Sequence, residues 1–185
     1  MNCPGYVVDS GPAAPSDDDL RPVLRSLGEP ANGGVQLIGP GRHVLAAALV
    51  RAFGPRAAAV VRVRHPASAD QVLDAAADTF VEAARTAGLP EAHPWHALAA
   101  PLRNRAHPWP ARFQLLSVHV LAKWPVLLVV DDPRLTDAGA LHDTGLAALA
   151  AAWVHDPGPG RVVLTGAVPI ALTTNPHRPV RVHHL

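Results

Sequence analysis

The chain has 185 residues, 49% of them hydrophobic, and a formal net charge of +1. That length suits one domain with a sizeable core, and the near-neutral balance gives no electrostatic reason to expect a nucleic-acid or lipid partner. The single cysteine, Cys3, cannot form an internal disulfide, no apolar run approaches the roughly 20 residues that span a bilayer, and the first residues lack the basic and apolar blocks of a signal peptide; a cytoplasmic protein is expected.

Residues 1–15, rich in Gly, Pro and Ser, are expected to form a flexible leader, with residues 16–185 as the domain. Ser16 followed by Asp17, Asp18 and Asp19 predicts a capped helix start, and Leu20, Val23, Leu24 and Leu27 recur at helical spacing up to Gly28. Val35–Ile38 reads as a buried strand ending in Gly39-Pro40-Gly41, and Val44 to Phe53 as a helix. Residues 58–63 predict a second strand, and Ser68 to Ala87 a helix with Val72, Leu73, Ala76, Phe80 and Ala84 on one side.

Five prolines interrupt residues 89–110, and Ala111 to Trp124 predicts a helix packing through Phe113, Leu116, Val120 and Leu121. Val126–Val130 is the strongest strand, closed by Asp131-Asp132. A long helix is expected from Thr136 to Val154, then strands at Val162–Thr165 and Val180–Val182. Strands that are apolar on both faces and alternate with helices imply a mainly parallel sheet covered on both sides, a three-layer α/β/α sandwich.

The strand, glycine loop and helix around Gly39-Pro40-Gly41-Arg42-His43, the apolar strand ending in Asp131-Asp132, and the strand Arg161–Thr165 before Gly166 come in the order of a P-loop NTPase. Together with Phe113-Gln114-Leu115-Leu116 and the tail Pro179–Leu185, they resemble the P-loop domain of STAND proteins, signal-transduction NTPases with numerous domains, of the NB-ARC/NACHT kind. The resemblance spans residues 17–185. It implies a Walker A loop after the first strand, a Walker B strand ending in Asp131-Asp132, and a sensor strand ending near Thr165. A helical lid following the domain is also implied.

A working Walker A loop wraps phosphates with backbone N–H groups, sends a lysine to the β and γ phosphates, and ligates Mg²⁺ through Ser or Thr. Aligned on Gly39-Pro40-Gly41, those positions hold Val44 for the second glycine, Leu45 for the lysine and Ala46 for the hydroxyl. Lys123 is the only lysine in the chain. Arg42 and His43 lie within the loop, one turn early, and are considered as stand-ins for the lysine. Asp131 and Asp132 stand where the family holds Mg²⁺ and positions water; the plainer reading is that they cap nearby N–H groups or pair with Arg42 or Arg134. The sensor strand departs from pattern too, with Gly166 and Ala167 where many STAND proteins carry a polar residue and an arginine.

Other constellations have plainer readings. His93, His96, His107, His183 and His184 lack the cysteines or paired ligands of a zinc site and read as surface histidines. His119 reads as a core or boundary histidine. Ser117, His119 and Asp131 have no nucleophile-elbow context. Trp95, Trp109, Trp124 and Trp153 read as packing anchors.

The resemblance therefore implies an inactive STAND domain. Such a domain would serve as a scaffold, adaptor or regulatory module in bacterial signalling or conflict (immune-like) systems. Its partners would be other protein domains, with neither nucleic acid nor membrane involved, and no cofactor is expected. The vestigial site would comprise Gly39, Gly41, Arg42, His43, Asp131 and Asp132. The alternative is an ATP/ADP-binding switch with Mg²⁺, an altered phosphate site built on Arg42 and Asp131, and little hydrolysis. An unrelated flavodoxin-like domain would require a different strand order.

Overall fold

The computed structural model describes residues 16–155, 158–172 and 177–185, and the expected leader lies outside the described residues. Helix α1 (Asp17–Gly28) starts at a capping box: Ser16 Oγ accepts from the Asp19 N–H, and the Asp19 carboxylate accepts from the Ser16 N–H. Strand β1 (Gly34–Ile38), helix α2 (Arg42–Phe53), strand β2 (Ala59–Arg64) and helix α3 (Ala69–Thr86) follow in the expected order.

The proline-rich stretch contains two short helices, α4 (Pro94–Ala97) and α5 (Ala99–Arg103). Helix α6 (Trp109–Leu116) then widens into a π turn over Ser117–Leu121, where the Ala122 N–H bonds the Ser117 carbonyl at 2.9 Å. The helix expected over Ala111–Trp124 is thus two pieces of different pitch. Strand β3 (Val126–Asp131) leads to helix α7 (Thr144–His155), strand β4 (Arg161–Gly166) and strand β5 (Val180–His184).

Helix α7 is shorter than the sequence suggests. Residues 135–141 fold back on themselves, with Leu135 bridging Leu141 and Gly139 turning the chain at φ 76°. The helix begins after Asp143, whose carboxylate accepts the Leu146 N–H at 2.6 Å, so a cap rather than the apolar run sets its start.

The five strands form one all-parallel sheet in the order β2-β3-β4-β1-β5. That is neither the 2-1-3-4-5 order of flavodoxin-like folds nor the 3-2-1-4-5-6 order of dinucleotide-binding folds. Alternate residues divide between two cores, as the pleat requires. Val35, Leu37, Leu127, Val129 and Val163 pack against α1 and α2. Leu128, Val130, Val162 and Leu164 pack against the layer of α3 to α7. The result is a three-layer α/β/α sandwich.

Two positions show how closely the layers fit. Gly34 in β1 allows β4 to approach: a Cβ there would stand 2.1 Å from the Val162 carbonyl oxygen. Gln36, buried in the middle of β1, bonds the backbone of Ile170 both ways at 2.9 Å, so a side-chain amide holds the segment after β4 as a strand would.

Arg112 on α6 is 2% exposed. It donates to the carbonyls of His107 (3.0 Å) and Leu102 (2.9 Å) and pairs with Asp70 on α3. This one side chain ties α3, α5 and α6 together. Arg112→Ala should cost on the order of 3–5 kcal/mol in urea unfolding, because it leaves the buried Leu102 carbonyl and the Asp70 carboxylate without their partner and opens a void. Arg112→Met should recover part of that by filling the volume. Glu82→Ala, which breaks an exposed pair with Arg85, should stay within about 0.5 kcal/mol.

Candidate functional site

All five strands end on the same edge of the sheet, because all are parallel. β1 and β4 are neighbours, yet β1 continues to β2 at one edge and β4 to β5 at the other. This is the topological switch point at which open α/β sheets hold ligands. The segments meeting there are Gly39–Gly41 after β1, Asp131-Asp132 at the end of β3, and Thr165-Gly166 at the end of β4.

The loop after β1 is closed. Gly39 has φ 110°, and a Cβ there would lie 2.8 Å from the Leu185 carbonyl oxygen, so the position requires glycine. Gly41, with φ 81°, stands at the start of α2 without a capping side chain. Arg42 folds back over the loop, donating through Nη1 to the Gly39 carbonyl at 3.0 Å. Its Nε and Nη2 fork the Asp132 carboxylate at 2.9 and 3.1 Å. His43 Nε2 lies 2.9 Å from Asp132 Oδ2. Where a phosphate-binding loop turns N–H groups inward, this one turns a carbonyl toward a guanidinium that is already paired.

The positions aligned with catalytic groups face elsewhere. Leu45 and Ala46 are buried in the core between the sheet, α1 and α2. His43 Nε2 is held on Asp132, Leu45 turns into the core, and Val44 is half-buried. Arg42, weighed as a replacement lysine, is engaged by Asp132.

Asp131 is 2% exposed and faces α2. Its Oδ2 accepts from Arg62 Nε at 2.6 Å, and Thr165 Oγ1 donates weakly to Oδ1 at 3.4 Å. The Asp132 N–H donates to both Thr165 O (3.2 Å) and Oγ1 (3.1 Å). Thr165 therefore braces the end of β3. Arg134, considered as a partner from sequence, gives way to Arg42 and His43 on Asp132 and to Arg62 on Asp131.

Burial alone would raise the Asp132 pKa. The Arg42 hydrogen bond, then the charges of His43, Arg42 and His65, outweigh it and hold the carboxyl below its ordinary range. The same hydrogen bond raises the Arg42 guanidinium above its ordinary value.

Three residues missed from sequence complete the site. β2 pairs with β3 so that Arg64 stands opposite Asp131. Arg62 and Arg64, two residues apart, share the face toward α2, and His65 follows at φ 49° with its N–H on the Asp131 carbonyl at 2.7 Å. The signal was present as the alternation Val60-Arg62-Arg64, but its meaning depended on which strand lay alongside.

The other histidines scatter. His93 is half-buried rather than on the surface: it caps α4 and packs its ring on Trp95 and Trp124. His119 is exposed on the π turn, which packs against the opposite face of the sheet from the Asp131 carboxylate, so the expected core or boundary position is not found. Trp95 and Trp153 are buried and Trp109 and Trp124 half-buried in the larger core. Among the described residues no three His, Cys, Asp or Glu side chains gather as metal ligands, and no helix is long and apolar enough to cross a membrane.

The chain matches no protein-family model and no curated protein.

The depressed Asp132 pKa has a definite pH consequence. A carboxyl whose pKa falls on folding stabilises the fold above its unfolded value, ordinarily 3.8, and that contribution disappears as pH drops through the folded value. Asp132→Asn should lower stability by about 1–2 kcal/mol at pH 7. The difference should shrink toward zero in urea titrations carried down below pH 3.8.

Proposed function

We propose that this domain is a non-catalytic STAND-like module that acts through its surfaces, as a scaffold, adaptor or regulatory element in bacterial signalling or conflict systems, with other protein domains as partners. The observation that carries the reading is the closed loop: Arg42 and His43 are held on Asp132, and Arg42 is also held on the Gly39 carbonyl. A triphosphate entering there would have to displace a bidentate ion pair, and would meet no lysine and no hydroxyl. Opening the clamp would not help, since Leu45 and Ala46 are core residues.

The strand order supports the same reading, because the sensor-like β4 lies between the Walker A-like β1 and the Walker B-like β3. Glycine loop, acid pair and threonine therefore meet as a nucleotide site would need them to, while the loop has no lysine or hydroxyl and the acids are taken up by Arg42, His43 and Arg62. Such a domain keeps its packing surfaces and loses the nucleotide switch.

Calorimetric titration with MgATP and MgADP tests the proposal, with Asp131→Asn as the comparison. The expected result is no saturable heat into the millimolar range for either protein. Saturable binding that requires Mg²⁺ and disappears in Asp131→Asn would overturn it in favour of an ATP/ADP-binding switch.

A further inference from the structure

A cleft of about 280 Å³ opens between α2 and the ends of β2 and β3, lined by His43, Ala47, Arg62, Arg64, His65 and Asp131. It lies beside the closed loop and draws its arginines from β2. Within it Arg62 is offset by Asp131, and Arg42 nearby by Asp132. Arg64 is not matched in this way: its Nε is 3.9 Å from a carboxylate oxygen that Arg62 already holds at 2.6 Å, and its side chain is 72% exposed. The cleft thus has one positive charge in excess before either imidazole is protonated. Arg62 donates to Asp131 through Nε alone, so its two terminal nitrogens make no hydrogen bond among the described residues.

The donors also come from different directions. Arg62 and Arg64 rise from the strand face; His43 descends from the first turn of α2 with Nε2 already on the Asp132 carboxylate, and His65 closes the strand end with Nδ1 on the Asp132 carbonyl, so each imidazole has only its second nitrogen left to offer. The Arg42 and His43 N–H groups lack intrahelical acceptors at the positive end of α2. Non-coplanar donors around a concavity suit a tetrahedral group with several oxygens better than a planar carboxylate. The volume falls just below the range for small-molecule sites, about 300 Å³ and upward, and so suits a small anion. His65 and Asp132, the two non-glycine residues with left-handed φ among those described, sit together at this strand end, at 49° and 45°. A strained backbone held here by hydrogen bonds keeps the imidazole at the cleft mouth.

We propose that this cleft binds a phosphate group, as inorganic phosphate or as the phosphomonoester of a small molecule, without Mg²⁺. The site does not depend on the scaffold reading, and the two fail differently. A rebuilt Mg-nucleotide site would lose binding in Asp131→Asn. A bare-anion cleft would bind as well or better once that negative charge is gone.

The experiment is calorimetric titration of the chain with inorganic phosphate and with ribose 5-phosphate, in dilute chloride buffer with and without Mg²⁺. One saturable site is expected, indifferent to Mg²⁺, and weakened about tenfold in Arg64→Ala. Arg51→Ala, an exposed arginine at the far end of α2, should leave it unchanged. Tighter binding of ribose 5-phosphate would point to a phosphorylated small molecule, and equal binding to the free anion; both support the site. No saturation with either probe, or equal weakening by Arg51→Ala, would overturn it.

Discussion

Asp131 and Asp132 follow five residues buried on both faces of the sheet, so their charges must be met at the strand end or the strand cannot stay where it is. Three neighbouring elements supply what is needed. β2 brings Arg62 to the Asp131 carboxylate, α2 brings Arg42 and His43 to that of Asp132, and β4 brings Thr165, which donates to Asp131 and accepts from the Asp132 N–H. The carboxyl edge of the sheet is therefore joined by ion pairs and hydrogen bonds as well as by the strand ladder. The register of β2 against β3 and the start of α2 are both bound to these two carboxylates.

The same pairing shapes what the edge can do. In an open phosphate loop the acids would be left for a metal and the loop amides for phosphate. Here Asp132 is satisfied by Arg42 and His43, and a loop carbonyl is satisfied by that arginine. Closing the loop moves the available positive charge sideways, from the switch point between β1 and β4 to the β2 side of β3. Arg64 there has no acid to itself. The edge is thus occupied by its own side chains at the place where the fold ordinarily holds a ligand, and open to an anion next to it.

Much of this was legible in the residues. Apolar runs such as Val126–Val130 were too continuous to be half-exposed, which identified parallel strands covered on both faces. Ser16 and Asp19 marked a helix start that the capping box realises. The glycines at 39 and 41 and the acids at 131 and 132 stood out as a group only through their resemblance to a P-loop domain. Less was legible where tertiary context overrides local pattern. Gly139 and Asp143 cut the expected helix at Thr136 short because a turn and a cap both compete with an apolar run. His93 looks like a loop histidine until Trp95 and Trp124 pack around it.

The sequence by itself determined the layered α/β architecture and the absence of a lysine and hydroxyl at the loop, since both follow from residue type and periodicity along the chain. Only the tertiary structure decided that Arg42 closes the loop, that Arg62 meets Asp131, and that Arg64 and His65 open onto a cleft. Those pairings join residues 69 and 90 positions apart in the chain. No local pattern specifies which strand lies beside which; strand order and register do, because they bring distant charges to within hydrogen-bonding distance.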